Sequence, residues 1–89
     1  MVILYPLFVG VIMTNKQKEI GMFCKNWRTD VLKYRYLVDF CNDYKLEYKT
    51  MWAFENGKCQ NINYPMIYYR ATFDADKPAF ERGFFECQE

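Results

Sequence analysis

Aromatic side chains are the feature of this sequence that most constrains its fold. They make up 20% of the 89 residues, and the hydrophobic residues as a whole reach 52%. A chain this short has room for only one hydrophobic core, so these side chains have to be buried together. Intrinsic disorder needs low hydrophobicity and high net charge. It is excluded here because 12 basic and 11 acidic residues leave a net charge of only +1. We therefore expect residues 1–89 to form a single folded domain.

The N-terminal segment, residues 1–13, is apolar and carries no charge. It is shorter than the roughly 20 residues that a membrane-spanning helix needs, and it lacks the basic residues and the cleavage site of a signal peptide. β-Branched residues are frequent in it, while Pro6 and Gly10 disfavour a helix. The segment therefore predicts a buried strand. The alternative is that Met13 is the natural start and that residues 1–12 are an optional extension.

Residues 14–44 are predicted to be helical, with Thr14 and Thr29 as the N-caps of two successive pieces. After Thr29, apolar residues recur every three or four positions, which is the period of a helix. They form one face from Val31, Tyr34, Leu37, Val38, Cys41 and Tyr44, and a second stripe from Leu32, Tyr36 and Phe40. A helix with two apolar stripes is either clamped between a sheet and another element or exposes one stripe to a partner. In the second case Tyr36 and Phe40 would make the contact.

From residue 45 onward the hydrophobic period changes to that of a strand. The alternating positions are Leu46, Tyr48, Thr50, Trp52 and Phe54. The dipeptide Asn56-Gly57 then predicts a type I′ hairpin turn, and residues 66–73 alternate again after Pro65. Over residues 45–73 we expect a three-strand antiparallel meander.

The last segment, residues 74–89, is predicted to begin with a turn and to continue as a short helix or an edge strand over residues 79–87. Pro78 favours the helix, whereas Gly83 and the Phe84-Phe85 pair weaken it. Taken together, the segments predict an α+β fold. Its mainly antiparallel sheet consists of the N-terminal strand and the meander, and one or two helices pack on one face.

Two residue types that most catalytic sites use are missing, because the chain contains neither His nor Ser. This excludes Ser-His-Asp triads, Cys-His dyads and zinc sites with a His ligand. Asp74 and Asp76 form a close carboxylate pair, but they lack the further ligands that Ca²⁺ or Mg²⁺ requires and suit a turn better. The four glycines are isolated and build no phosphate-binding loop. We therefore expect no enzymatic activity, no metal and no cofactor.

The four cysteines are widely spaced in the sequence. They are Cys24, Cys41, Cys59 and Cys87, and no two of them form a CxxC pair. Two disulfides would suit a secreted domain of this size, but the chain has no convincing signal peptide. We expect four reduced thiols in a cytoplasmic protein.

Composition and charge point to a binding protein. Tyr, Trp, Phe, Met and Arg, the residues enriched at interfaces, are abundant. Residues 14–35 contain six basic and two acidic side chains, and residues 74–89 contain five acidic and two basic ones. This distribution either forms two solvated faces that attract one another in the fold or makes a bipolar surface that orients a protein partner. The small size, the absence of His and Ser, and the abundance of Lys, Asn, Tyr and Phe resemble, in composition only, the short early proteins that phages use against host machinery.

That resemblance implies an inhibitor or accessory protein in the host cytoplasm that masks a larger host protein. The contact would use Tyr36 and Phe40 of the helix, or Tyr68 and Arg70 of the third strand; self-association is a further option. The alternative function is binding of single-stranded nucleic acid, with Tyr64, Tyr68 and Arg70 as a stacking platform on a strand. The nearly balanced net charge makes this alternative weaker.

Overall fold

The chain folds into five helices with no strand in the part that the structure describes. The computed structural model describes residues 5–59 and 61–88, and the surroundings of the side chains over residues 16–59 and 61–87. The elements are α1 (Tyr5–Asp30), α2 (Leu37–Tyr44), α3 (Tyr48–Glu55), α4 (Asn63–Ala71), a 3₁₀ turn (Asp74–Asp76) and α5 (Lys77–Gln88). The predicted α+β fold with an antiparallel sheet is therefore wrong, and the domain is helical.

Helix α1 replaces the predicted N-terminal strand and joins it to the first predicted helix. Pro6 is the second residue of α1, where a missing backbone N–H costs nothing because the first turn has no intrahelical acceptor. Gly10 costs about 1 kcal/mol of helix propensity, which a cooperative helix of 26 residues tolerates. At 1.5 Å per residue α1 is about 39 Å long, so it runs along the longest dimension of the molecule, 47 Å. The predicted strand over residues 1–4 lies outside the described residues.

The second predicted helix begins later than the sequence pattern indicates. Thr29 lies in the last turn of α1, where its hydroxyl donates to the carbonyl of Asn26, and it caps no new helix. The chain then turns through residues 31–36, with Lys33 in the left-handed region at a φ of 66°. Helix α2 buries Leu37, Phe40 and Cys41, whereas Val38 and Tyr44 are more than 40% exposed. The face that packs is therefore a mixture of the two stripes that the sequence pattern separates.

Helix α3 stands where the first strand of the meander is predicted. Its buried residues are Met51, Phe54 and Glu55, at the spacing of a helix, and Trp52 is 44% exposed. Over eight residues a helical and an alternating pattern overlap, so periodicity alone cannot separate them. The type I′ hairpin at Asn56-Gly57 is wrong as well. Gly57, at a φ of 73°, donates to the carbonyl of Phe54, and Lys58 donates to that of Ala53, which is the Schellman ending of a helix.

Helices α4 and α5 form the C-terminal part of the domain. Pro65 lies in the first turn of α4 and is buried with Tyr68, so it does not interrupt the element. Pro78 occupies the second position of α5, which confirms the helical alternative for residues 79–87. The turn predicted over residues 74–78 is a single turn of 3₁₀ helix at Asp74–Asp76, and residues 77 and 78 already belong to α5.

The core lies along one side of α1, against which α3, α4 and α5 pack. Its buried apolar members are Ile20, Cys24, Leu37, Phe40, Cys41, Met51, Phe54, Tyr68 and Phe80. Helices α1 and α3 come very close together at Gly21, where a Cβ atom would lie 2.4 Å from the carbonyl oxygen of Phe54. Only glycine permits that approach, which brings Arg28 of α1 and Glu55 of α3 into the same interior.

Candidate functional site

The structure does not bring the five predicted partner-binding residues together on one surface. Phe40 and Tyr68 are 0% exposed, and their ring centroids lie 5.0 Å apart in the core. The prediction that these two residues lie off the core face is therefore wrong. Tyr36 is 58% exposed at the N-cap of α2, and Arg70 is exposed near the end of α4. Tyr64 is half-buried, so with Tyr68 in the core the predicted stacking platform does not exist.

The residues that the sequence analysis missed include a buried ion pair. Glu55 accepts two hydrogen bonds from Arg28, from Nε at 2.9 Å and from Nη2 at 3.0 Å, and a third from the Tyr68 hydroxyl at 2.6 Å. The remaining guanidinium nitrogen of Arg28 donates to the carbonyls of Tyr34 and Arg35, which holds the turn after α1 in place. Arg28 and Glu55 are 3% and 6% exposed. The Glu55 carboxylate thus joins α3, to which it belongs, to α1 and α4.

A second set of hydrogen bonds continues this network on the side of α4. The indole N–H of Trp27 donates to the Thr72 hydroxyl at 2.9 Å, and that hydroxyl donates to the carbonyl of Tyr68 at 2.7 Å. Within the described residues every buried side-chain nitrogen and oxygen has a hydrogen-bond partner. A network that is closed and satisfied in this way fixes the helices relative to one another.

Burial also sets the protonation of the groups around this network. It raises the pKa of Tyr68 far above the ordinary range, with the charge of Glu55 and the hydrogen bond to it adding to the effect. Burial likewise raises the pKa of the Cys24 thiol, and again the Glu55 charge contributes. Both groups are therefore neutral at physiological pH. All four cysteines are free thiols in the structure, and Cys24 and Cys41 are buried.

An apolar groove opens at the surface between α4 and α5. Its volume is about 360 Å³, and it is lined by Ile62, Met66, Tyr69, Phe80, Glu81, Phe84 and Phe85. The adjacent pair Phe84-Phe85 builds it because neighbouring residues on a helix point in different directions. Phe84 turns inward, where its ring lies parallel to that of Phe80 with the centroids 6.2 Å apart, and Phe85 is 60% exposed at the rim. Ile62, which is 61% exposed, lies at the start of α4.

One side of this groove is polar. The Tyr69 hydroxyl donates to Glu81 at 2.9 Å, and this hydrogen bond raises the pKa of the tyrosine. The Lys77 ammonium lies 5.1 Å from the centroid of the Tyr69 ring and 3.1 Å from a carboxylate oxygen of Asp74. The groove therefore has an apolar floor and an edge with both charges. A smaller cavity of about 80 Å³ shares Ile62 and Phe84 with it, which extends the apolar surface toward α1 and α3.

The sequence pattern shows that the segments lining the groove are apolar, but it assigns residues 66–73 to a strand. The Phe84-Phe85 pair weakens the prediction of a helix over residues 79–87, although in a helix this pair supplies one residue that points inward and one at the surface.

Over the described residues, no three Cys, Asp or Glu side chains come close enough to hold a metal ion. Nor does this part of the chain contain a helix with the length and apolar character that crossing a bilayer requires.

Comparison with known proteins adds no functional information to this geometry. No protein-family model matches the chain, and searches of the curated proteins and of the solved structures returned no significant match. A helical fold is compatible with many functions, so function has to be argued from the surface itself. The α4–α5 groove is the feature from which we argue it.

Proposed function

We propose that this protein is a non-enzymatic protein-binding domain whose α4–α5 groove receives the apolar face of an amphipathic helix from a partner. The observation that carries the proposal is the pair of exposed apolar side chains at the groove, Ile62 and Phe85, with Met66 in the same lining. Water-exposed apolar side chains that converge on one groove are characteristic of protein-binding sites. Methionine suits such a site because its unbranched side chain adapts to different surfaces.

The dimensions of the groove favour a short helical segment as the occupant. On the α4 side the groove residues run from Ile62 to Tyr69, about 10 Å along the helix axis, which matches about two helical turns of a partner. Such a segment presents apolar residues at positions i, i+3, i+4 and i+7, the usual arrangement for a helix that lies in a groove.

The charges around the groove favour a basic partner. Glu81 is the charged residue that lines the groove, and it is exposed. Lys77 is already paired with Asp74. A partner helix with Lys or Arg beside its apolar face would complement this surface and associate faster for that reason. By binding such a helix of its partner, the domain would act as an inhibitor or an accessory subunit.

A library of random 12-residue peptides, panned against the full chain, tests the proposal. We expect the enriched peptides to carry apolar residues at helical spacing together with Lys or Arg. A single enriched peptide, labelled with fluorescein, should then bind in a fluorescence anisotropy titration.

Two matched variants assign the binding to the groove. Phe85→Gln removes an exposed anchor and should weaken the peptide at least tenfold, which is within the range for truncated interface aromatics. Phe73→Gln alters a phenylalanine that is 79% exposed outside the groove, and it should leave the affinity unchanged. Equal affinities for the two variants, or enriched peptides without apolar periodicity, would show that the groove is not the binding site.

A further inference from the structure

Helix α3 exposes two aromatic side chains that neither the core nor the groove uses. Tyr48 is 47% exposed and Trp52 is 44% exposed. They are four residues apart on α3, so they lie on the same face, about 6 Å apart along the helix axis. The two rings therefore form a small aromatic surface, which we call the α3 face.

Lysines surround the α3 face. Lys45, Lys49 and Lys58 are exposed, and the ammonium of Lys58 lies 5.3 Å from the centroid of the Trp52 ring. Lys49 is three residues before Trp52 and so lies beside it on the helix.

The acidic groups on α3 and at its start leave this face with an excess of positive charge. Glu55 is buried against Arg28 and carries no charge to the surface. Glu47, which precedes α3, is exposed and accepts a hydrogen bond from the Thr50 hydroxyl at 2.6 Å. Its single negative charge stands against three exposed lysines, so the α3 face presents a net positive charge to solvent.

We infer that the α3 face binds single-stranded nucleic acid, with bases stacked on Trp52 and Tyr48 and with phosphates on the lysines. Exposed aromatic rings flanked by basic side chains are what sequence-tolerant single-strand binding requires. Positive charge favours a polyanion over a neutral protein surface as the occupant. A single strand can place unpaired bases on the two rings, whereas the bases of a duplex are paired and stacked on one another.

These residues differ from the stacking platform that the sequence predicts, and the inference is independent of the α4–α5 groove. In α3 the aromatic residues are four positions apart on one helix face, whereas Tyr68 of the predicted platform is buried. Failure of either proposal leaves the other intact.

Fluorescence anisotropy with a fluorescein-labelled 20-nucleotide oligo(dT) measures this binding, and a 20-base-pair duplex serves as the comparison. We expect the oligo(dT) to bind more tightly than the duplex in 50 mM NaCl. Three lysine–phosphate contacts predict a roughly 20-fold loss of affinity between 50 and 200 mM NaCl, because each contact on a single strand contributes about 0.7 to the logarithmic salt dependence.

Three variants test whether a base stacks on Trp52. Trp52→Ala should weaken the oligo(dT) about 5- to 160-fold, as expected for the loss of one stacked base, while Trp52→Phe should restore most of the affinity. Tyr36→Ala is the matched control, because Tyr36 is 58% exposed beside Arg35 but precedes α2. Since Trp52 is at the surface, thermal denaturation should show that all three variants fold.

The inference would be overturned if oligo(dT) did not bind at 50 µM protein in 50 mM NaCl, or if it bound no more tightly than the duplex. It would also be overturned if Trp52→Ala weakened the binding of oligo(dT) no more than Tyr36→Ala does. Equally tight binding of polyglutamate would also overturn it, because an acidic protein segment would then fit the α3 face as well as a nucleic acid does.

Discussion

Replacing Glu55 with glutamine should destabilise the protein more than its single lost charge suggests. Glu55 compensates the buried Arg28, and their side chains are 3% and 4% exposed. Glutamine has almost the same size, so the substitution leaves the packing in place and leaves a guanidinium without a counter-charge in the interior. Removing one partner of a buried ion pair typically costs about 3–5 kcal/mol. A domain of this length has a total stability of roughly 4–13 kcal/mol, so Glu55→Gln consumes a large part of it.

Related variants divide this loss among the contacts of Glu55. Tyr68→Phe removes the hydrogen bond of 2.6 Å to the carboxylate but keeps the ion pair, and it should cost about 1.5–3 kcal/mol. The double variant Arg28→Gln/Glu55→Gln contains no buried charge, so its loss should be smaller than the sum of the two single losses by about 1 kcal/mol or more. Glu47→Gln, at an exposed position before the same helix, should change the stability by less than about 0.5 kcal/mol.

Urea unfolding followed by circular dichroism measures these free energies, and thermal melts should show Glu55→Gln lower in Tm by roughly 12–40 °C. A loss below about 1 kcal/mol for Glu55→Gln would refute the reasoning. Additive losses in the double variant would refute it too, because they would mean that Arg28 and Glu55 do not depend on each other.

Three further predictions follow from the packing of α1. Gly21→Ala places a Cβ atom 2.4 Å from the backbone oxygen of Phe54. This oxygen cannot move away without separating α1 from α3, so the Tm should fall by more than 10 °C. An unchanged Tm would contradict the close approach of the two helices. Gly57→Val should also lower the Tm, because Gly57 has a φ of 73° and its Cβ would lie 2.8 Å from the Cα of Lys18; a native melt would contradict this account. Burial raises the pKa of the Cys24 thiol from its ordinary value of 9.0. The thiol therefore remains protonated in the folded state but ionises in the unfolded chain. As a result, the free energy of unfolding should decrease as pH rises above about 9. Urea unfolding at pH 8, 9 and 10 checks this, and Cys24→Ala should reduce the slope by up to about 1.4 kcal/mol per pH unit.

The sequence by itself determined that the chain has enough apolar material for one core and where several segments begin or end. The turn at residues 74–76, the glycine with positive φ at Gly57 and the helical option after Pro78 were visible because each depends on a local backbone preference. The aromatic surplus was also visible, and so was the expectation that part of it lies at the surface. Local backbone preferences therefore predicted the ends of the elements better than they predicted whether each element is a helix or a strand.

Tertiary structure decided whether each short apolar segment became a helix or a strand. Over the eight residues of α3 both periods fit, and what selects the helix is the set of partners that Phe54 and Glu55 meet on α1 and α4. The most important of these partners, Arg28, lies 27 positions from Glu55, and no pattern in a local window contains it. The same dependence on distant neighbours explains the candidate sites. Phe40 and Tyr68 became core residues because they meet each other, while Phe85 and Trp52 remained at the surface because nothing among the described residues covers them.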